Sequence, residues 1–210
     1  MDKMDYKKKY KEYYQPSGQP AIVDFPVMTF IQTDGKGDPS DENGEYKKAV
    51  ELLYTIAYTI KMMPRNGITP EGYFEYVVPP LEGLWGLNDY EKDFDYARKS
   101  ELVWTSMIRQ PEFVTKEVLD LACAIVEKKK KLDCSQVRLV QFTEGLCVQC
   151  MHIGPYIEEP ATAEKMKEYA KEKGYTIDFS DDRLHHEIYL SDPRKTEGIR
   201  LKTILRHPVK

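Results

Sequence analysis

Apolar positions along the chain switch between two periods, and the order of the switches predicts the fold. Ile22 to Thr33 is rich in β-branched and aromatic residues and closes on Asp34-Gly35-Lys36-Gly37-Asp38-Pro39, which reads as a strand followed by a turn. With Asn43 as N-cap, Tyr46, Val50, Leu53, Ala57 and Ile60 recur at spacings of four and three, the stripe of a helix that ends near Pro64. Gly72 to Val78 alternates with period two, and Glu101 to Ile108 is a second β-rich run. Between them, Pro79 to Trp85 reads as a loop, and Tyr90, Phe94 and Ala97 mark a short helix.

Thr115 introduces another helix, whose last turn carries Lys128 to Lys131, where cations suit the negative end of the helix dipole. From Val137 the plan restarts with a strand to Phe142, a Thr143-Glu144-Gly145 turn, a strand from Leu146 to His152 and a Gly154-Pro155 break. A helix capped by Thr162 and stopped by Gly174 follows, with Met166, Tyr169 and Ala170 facing inward. Two strands, Leu184 to Leu190 and Ile199 to Leu205, complete the pattern. The order β, α, β, β therefore occurs twice. Phe30-Ile31-Gln32 and Gly37 also align with Cys147-Val148-Gln149 and Gly154 at a constant offset.

The expected fold is α+β. Two pseudo-symmetric βαββ repeats, at about 20–110 and 136–210, form antiparallel sheet surfaces with helices behind, a connecting helix at about 115–131 and a ligand cleft at the junction. Residues 1–19 form a charged, Tyr-rich segment read as a solvated helix or tail lying on a single domain of residues 20–210.

With 41% apolar residues the chain buries a proper core, and 31 basic against 35 acidic residues argue against direct nucleic-acid binding. No apolar run reaches the roughly 18 to 20 residues that span a bilayer, and Met1 to Tyr14 is charged where a secretion signal is apolar, so a cytoplasmic location is expected, without membrane contact. Cys147-Val148-Gln149-Cys150 matches CxxC, but residues three apart on a strand face opposite ways, and no second pair follows. Neither a metal nor a cofactor is expected. The sequence has no HExxH, GxSxG or phosphate-binding glycine loop.

Candidate chemistry concentrates in Leu184 to Leu190, where period two puts His185, Glu187 and Tyr189 on one face. Facing solvent, Glu187 is an ordinary surface carboxylate; facing an aromatic pocket, it is a desolvated group able to hold a cation or take a proton. The chain has 15 Tyr, 7 Phe and 2 Trp, and Trp85, Trp104, Tyr73, Tyr156 and Tyr189 are placed near a cleft, where flat rings stack on a planar ligand. Core packing is the alternative for each. Glu82, in a loop stiffened by Pro79, Pro80 and Gly83, is a second carboxylate that could share acid and base work with Glu187, or simply stabilise a turn.

His152-Ile153-Gly154-Pro155-Tyr156, Glu187-Ile188-Tyr189-Leu190-Ser191-Asp192-Pro193 and the closing Pro208-Val209 resemble the signature of GyrI-like domains. Tyr76 to Trp85 resembles the stand-alone branch of that family. The resemblance implies a pseudo-symmetric cleft for a lipophilic or cationic aromatic small molecule in a monomer or homodimer. Members include effector domains of multidrug-responsive activators, a gyrase-inhibiting protein and hydrolases of cyclopropanoid genotoxins. Carried over by motif, Glu187 meets the ligand. Carried over from the hydrolase branch that the chain resembles, Glu187 and Glu82 are expected as the acid/base pair and Trp85, Trp104, Tyr156 and Tyr189 as the aromatic clamp; His185, on the strand face of Glu187, is expected to contact the ligand. A non-catalytic binding or sensing protein and a gyrase-inhibitor-type interaction module are the alternatives. The first 20 residues are too short for a helix-turn-helix unit, which disfavours the activator role.

Overall fold

The computed structural model describes residues 3–87, 98–180 and 182–210. Its architecture is α+β, and the sheet closes on itself. Six strands, β1 (Ala21–Lys36), β2 (Leu81–Leu87), β3 (Leu102–Arg109), β4 (Arg138–Ile153), β5 (His185–Tyr189) and β6 (Lys202–Pro208), form an antiparallel barrel in the order β1-β3-β2-β5-β6-β4. The long helices are α3 (Glu45–Met62), α4 (Lys116–Lys130) and α5 (Glu159–Glu172), preceded by the one-turn helices α1 (Tyr6–Lys9) and α2 (Lys11–Tyr14).

The expected order β, α, β, β is present twice, but several elements differ from the reading. Gly72 to Val78 is not a strand; only Tyr76 makes an isolated bridge, to Met4. The strand lies where a loop was expected, at β2, and every one of its residues is buried. A strand covered on both faces loses the polar alternation by which strands are recognised. Pro79 and Pro80 lack amide donors and fall just before it. Thr143-Glu144-Gly145 does not turn the chain, since β4 pairs with β1 in one register from Gln32↔Arg138 to Ala21↔Gln149. Gly44, not Asn43, caps α3, and α5 begins before Thr162, whose Oγ1 instead meets His152 Nδ1 at 2.9 Å. The helix expected around Tyr90, Phe94 and Ala97 lies outside the described residues.

Period two in the strands separates two cores. On the outer face of the barrel, Ile31 and Ile108 pack with Leu53, Ile56 and Ile60 of α3 and with Leu119 and Val126 of α4, while Val148, Cys150 and Leu205 meet Met166 and Ala170 of α5. The inner face gathers Phe25, Met28, Phe30, Leu84, Met107 and Cys147. Beside them lies a polar chain. Glu82 Oε2 is 3.1 Å from His186 Nε2, His186 Nδ1 is 2.8 Å from Glu144, and Arg206 donates to Glu144 at 3.1 Å and to Gln149 at 3.3 Å.

The N-terminal segment seals this interior rather than lying solvated on the surface. Tyr6 and Tyr14 are each 1% exposed and pack with Ile188 and Ile204. Tyr14 donates its hydroxyl to Glu82 at 3.1 Å, Arg206 donates to the Tyr13 carbonyl at 2.6 Å, and the Arg109 guanidinium stacks 4.7 Å from the rings of both Tyr6 and Tyr10. Aromatic rings that cover buried charges supply area and cation–π attraction together.

Two predictions follow from this interior. Tyr14→Phe leaves one Glu82 oxygen without its donor and should lower the free energy of unfolding in urea by about 1–3 kcal/mol; an unchanged midpoint would mean that the segment does not stabilise the barrel. Burial alone would lower the pKa of His186, but Glu144 and Glu82 outweigh it and raise it to about 8. Burial likewise opposes ionisation of Glu144, yet His186 and Arg206 hold it down at about 2. A folded-state pKa above the unfolded value contributes stability that is complete below pH 6.5 and fades as pH rises through 8. Between pH 6 and pH 9 the wild type should lose roughly 2 kcal/mol that His186→Gln does not. Equal losses in both proteins would remove His186 from the charged network.

Candidate functional site

Register builds the site. On the outer face, three adjacent strands present three rows: Trp104, Trp85 and His185; Ser106, Gly83 and Glu187; Ile108, Leu81 and Tyr189. Glycine at the centre is required. A Cβ on Gly83 would lie 2.7 Å from Trp85 Nε1 and 3.4 Å from the Tyr189 hydroxyl, so its absence lets the indole fold across the row. The indole then donates to the Tyr189 hydroxyl at 2.9 Å.

Glu187 is held at both oxygens. Tyr189 donates to Oε2 at 2.7 Å, and His185 Nε2 is 2.9 Å from Oε1. On its other side His185 Nδ1 is 2.7 Å from His207 Nε2, with Phe179 edge-on to the His207 ring at 5.0 Å. Burial, and then His185, push the pKa of His207 well below the usual histidine range, which leaves this ring neutral at pH 7. Burial followed by the nearby Glu187 charge lifts Tyr189 far above an ordinary phenol and Tyr156 to about 12, so both hydroxyls stay protonated.

Two helices cover the rows. Tyr46, in the first turn of α3, has its ring centroid 5.2 Å from each of Trp85 and Trp104. Tyr156 meets Tyr189 edge-on at 6.1 Å, just ahead of α5. Glu159, the first residue of α5, brings a carboxylate oxygen to the group; it, His185 and Glu187 each offer one donor atom within 4.8 Å of the others, a set able to hold a divalent cation. The spacing rules applied to the sequence do not connect these three residues.

Glu187, His185, Tyr189, Trp85, Trp104 and Tyr156 thus come together as expected from the strand face and the motifs. Glu82 does not join them. It pairs across from Ile188 while its neighbour Gly83 pairs with Glu187, so the two carboxylates project to opposite faces of the sheet. Tyr73 is also elsewhere, with its ring 5.1 Å from Phe113 and its hydroxyl on the Lys61 carbonyl at 3.0 Å. Tyr46, Ser106, Glu159 and His207 were missed. Extending the period-two pattern of β6 from Thr203 through Leu205 would have reached His207; Tyr46 looks like any core position of a helix stripe.

A groove of about 790 Å³ opens between α3 and α4, lined by Tyr54, Tyr58, Met62, Ile125 and Lys129, away from Glu187. Glu187 itself is 7% exposed, among the buried Trp85, Trp104 and His185. Gly83→Ala should therefore displace the Trp85 indole, shifting tryptophan fluorescence and lowering the melting temperature; an unaltered spectrum would mean that the indole does not depend on the glycine.

Comparison with known proteins agrees with this architecture. A protein from Listeria innocua described as uncharacterised and conserved is 47% identical, with a TM-score of 0.92 over 99% of this chain and 100% of its own. A structure described as a hydrolase from Listeria innocua is 46% identical, with a TM-score of 0.89 over 99% of this chain and 100% of its own. The C-terminal domain of EcmrR, 12% identical with a TM-score of 0.55 over 91% of this chain and 97% of its own, shares the fold alone. No curated protein matches the sequence. Residues 18–210 match the GyrI-like small molecule binding domain, and the chain belongs to that family.

Proposed function

We propose that this protein binds flat, lipophilic or cationic aromatic small molecules at the outer face of β2, β3 and β5, beside the rings of Tyr46 and Tyr156, and that it hydrolyses cyclopropanoid genotoxins there. The observation that carries the reading is the Glu187 carboxylate, 7% exposed and fixed at 2.9 Å by His185 and 2.7 Å by Tyr189 among aromatic walls. Each carboxylate oxygen has a second lone pair, so a carboxylate held this way still has acceptor capacity for a water or a ligand cation. The hydrolase description of the 46% identical Listeria innocua structure supports turnover rather than storage.

In this reading the ligand stacks on the aromatic wall of Trp85 and the covering tyrosines, and Glu187 takes a proton from water as the water oxygen bonds to a cyclopropane carbon. The strained C–C bond breaks, its electron pair moves into the conjugated carbonyl system, and the proton on Glu187 returns to that system to complete the addition of one water. Relief of strain drives the reaction. General-base help of about 10²- to 10⁴-fold together with positioning meets the demand on the protein. Glu82 faces the sealed interior, and its role here is to hold Tyr14 and His186.

Mass spectrometry of the protein incubated with a cyclopropane-bearing conjugated ketone should show repeated formation of a product heavier by one water. Glu187→Gln should lower kcat by about 100-fold or more with the compound still bound. Glu82→Gln should lower stability and leave kcat within a few-fold of wild type. Retention of unchanged compound by the wild type and both variants would sink the hydrolase reading and leave a binding protein.

A further inference from the structure

The hydrogen-bonded group around Glu187 extends one strand beyond the site. Among the described hydrogen bonds, the His185 ring links Glu187 to β6, where His207 Nε2 lies 2.7 Å from His185 Nδ1. We infer that His207 is a positioning residue: it fixes the tautomer and orientation of His185, and through His185 it fixes the Glu187 carboxylate.

One proton can occupy the Nδ1–Nε2 contact between the rings. Whichever ring supplies it, His207 thereby decides how His185 presents Nε2 to Glu187 Oε1, 2.9 Å away. The imidazole of His185 is 1% exposed and His207 is 6% exposed, so bulk water does not readily replace this contact. Phe179 lies edge-on to the His207 ring at 5.0 Å. Tyr189 controls Glu187 Oε2 and the His207–His185 pair controls Oε1, so both oxygens are oriented by residues that are themselves oriented: Tyr189 by Trp85, and His185 by His207. A carboxylate positioned from both ends keeps its free lone pairs in fixed directions. That is the geometric requirement for a base that must meet one water at one carbon.

The inference rests on Glu187 being the working carboxylate, and its test separates the two ideas. The amide of glutamine reaches where histidine Nε2 lies and can donate or accept, whereas asparagine reaches only as far as Nδ1 and phenylalanine offers no hydrogen bond. Nitrogen-15 shifts of the His185 ring, read by NMR, should report one dominant tautomer in wild type and His207→Gln, and averaged tautomers in His207→Phe and His207→Asn. With a cyclopropane-bearing conjugated ketone, kcat should fall about 10- to 100-fold in His207→Phe and His207→Asn at a KM within about two-fold of wild type, and glutamine should restore most of it.

An unchanged His185 signal in the phenylalanine and asparagine variants overturns the inference, as does a loss of kcat that glutamine fails to restore. If the phenylalanine variant does not fold, the asparagine and glutamine pair decides. Absence of turnover in the wild type would sink the hydrolase reading, and the ring signals would still decide whether His207 sets His185.

Discussion

The structure depends on burying a polar strand on both sides. β5 reads His185-His186-Glu187-Ile188-Tyr189; its first four residues are buried and Tyr189 is half-buried. Withdrawing imidazoles and a carboxylate from water costs several kcal/mol per group unless each finds a partner. The partners come from every neighbouring layer: Tyr189 and His207 on the outer face, and Glu144, with Glu82 close by, on the inner one. Closing the sheet into a barrel allows this, because a closed sheet has an enclosed inner face where such groups can meet one another and an outer face that helices can cover.

The two faces solve the problem differently. Inside, Glu144 lies between His186 and Arg206, and opposite charges hold its pKa at about 2. A carboxylate paired so firmly is a poor proton acceptor near neutral pH. Outside, the described hydrogen bonds to Glu187 come from a phenol and an imidazole, supported in turn by an indole and a neutral imidazole. These partners orient the group without a guanidinium or ammonium in direct contact through the described bonds. The face that carries the family motif is therefore also the face whose carboxylate, in the described bonds, is oriented by a phenol and an imidazole rather than by a guanidinium.

Much of this was legible in the sequence, and the failures have physical causes. Alternation along Leu184 to Leu190 placed His185, Glu187 and Tyr189 together, because the pleat forces residues two apart to one side. The same rule failed at Leu81 to Leu87, where burial on both faces removes the alternation and the preceding prolines suggest a loop. Reading that segment as a loop left the direction of Glu82 open and allowed it to share a cleft with Glu187; as a strand, its register sends the two carboxylates apart. The N-terminal tyrosines were misplaced for another reason. Lys7, Lys8, Lys9 and Lys11 make the segment look solvated, while Tyr6 and Tyr14 turn to the interior, and no local period reports a long-range contact with Arg109 or Glu82.

Gly83 shows how far a single position can join these levels. Its missing side chain lets Trp85 lie across the middle row, the indole reaches the Tyr189 hydroxyl, and that hydroxyl holds Glu187. A glycine inside a strand weakens the strand by itself, through backbone entropy and lost packing. Here the weakness is offset because β2 is buried along its whole length between β3 and β5, so its pairing does not rely on local propensity. The sheet supplies enough non-local stability for its centre to carry a residue chosen for the site, and the carboxylate owes its orientation to that surplus.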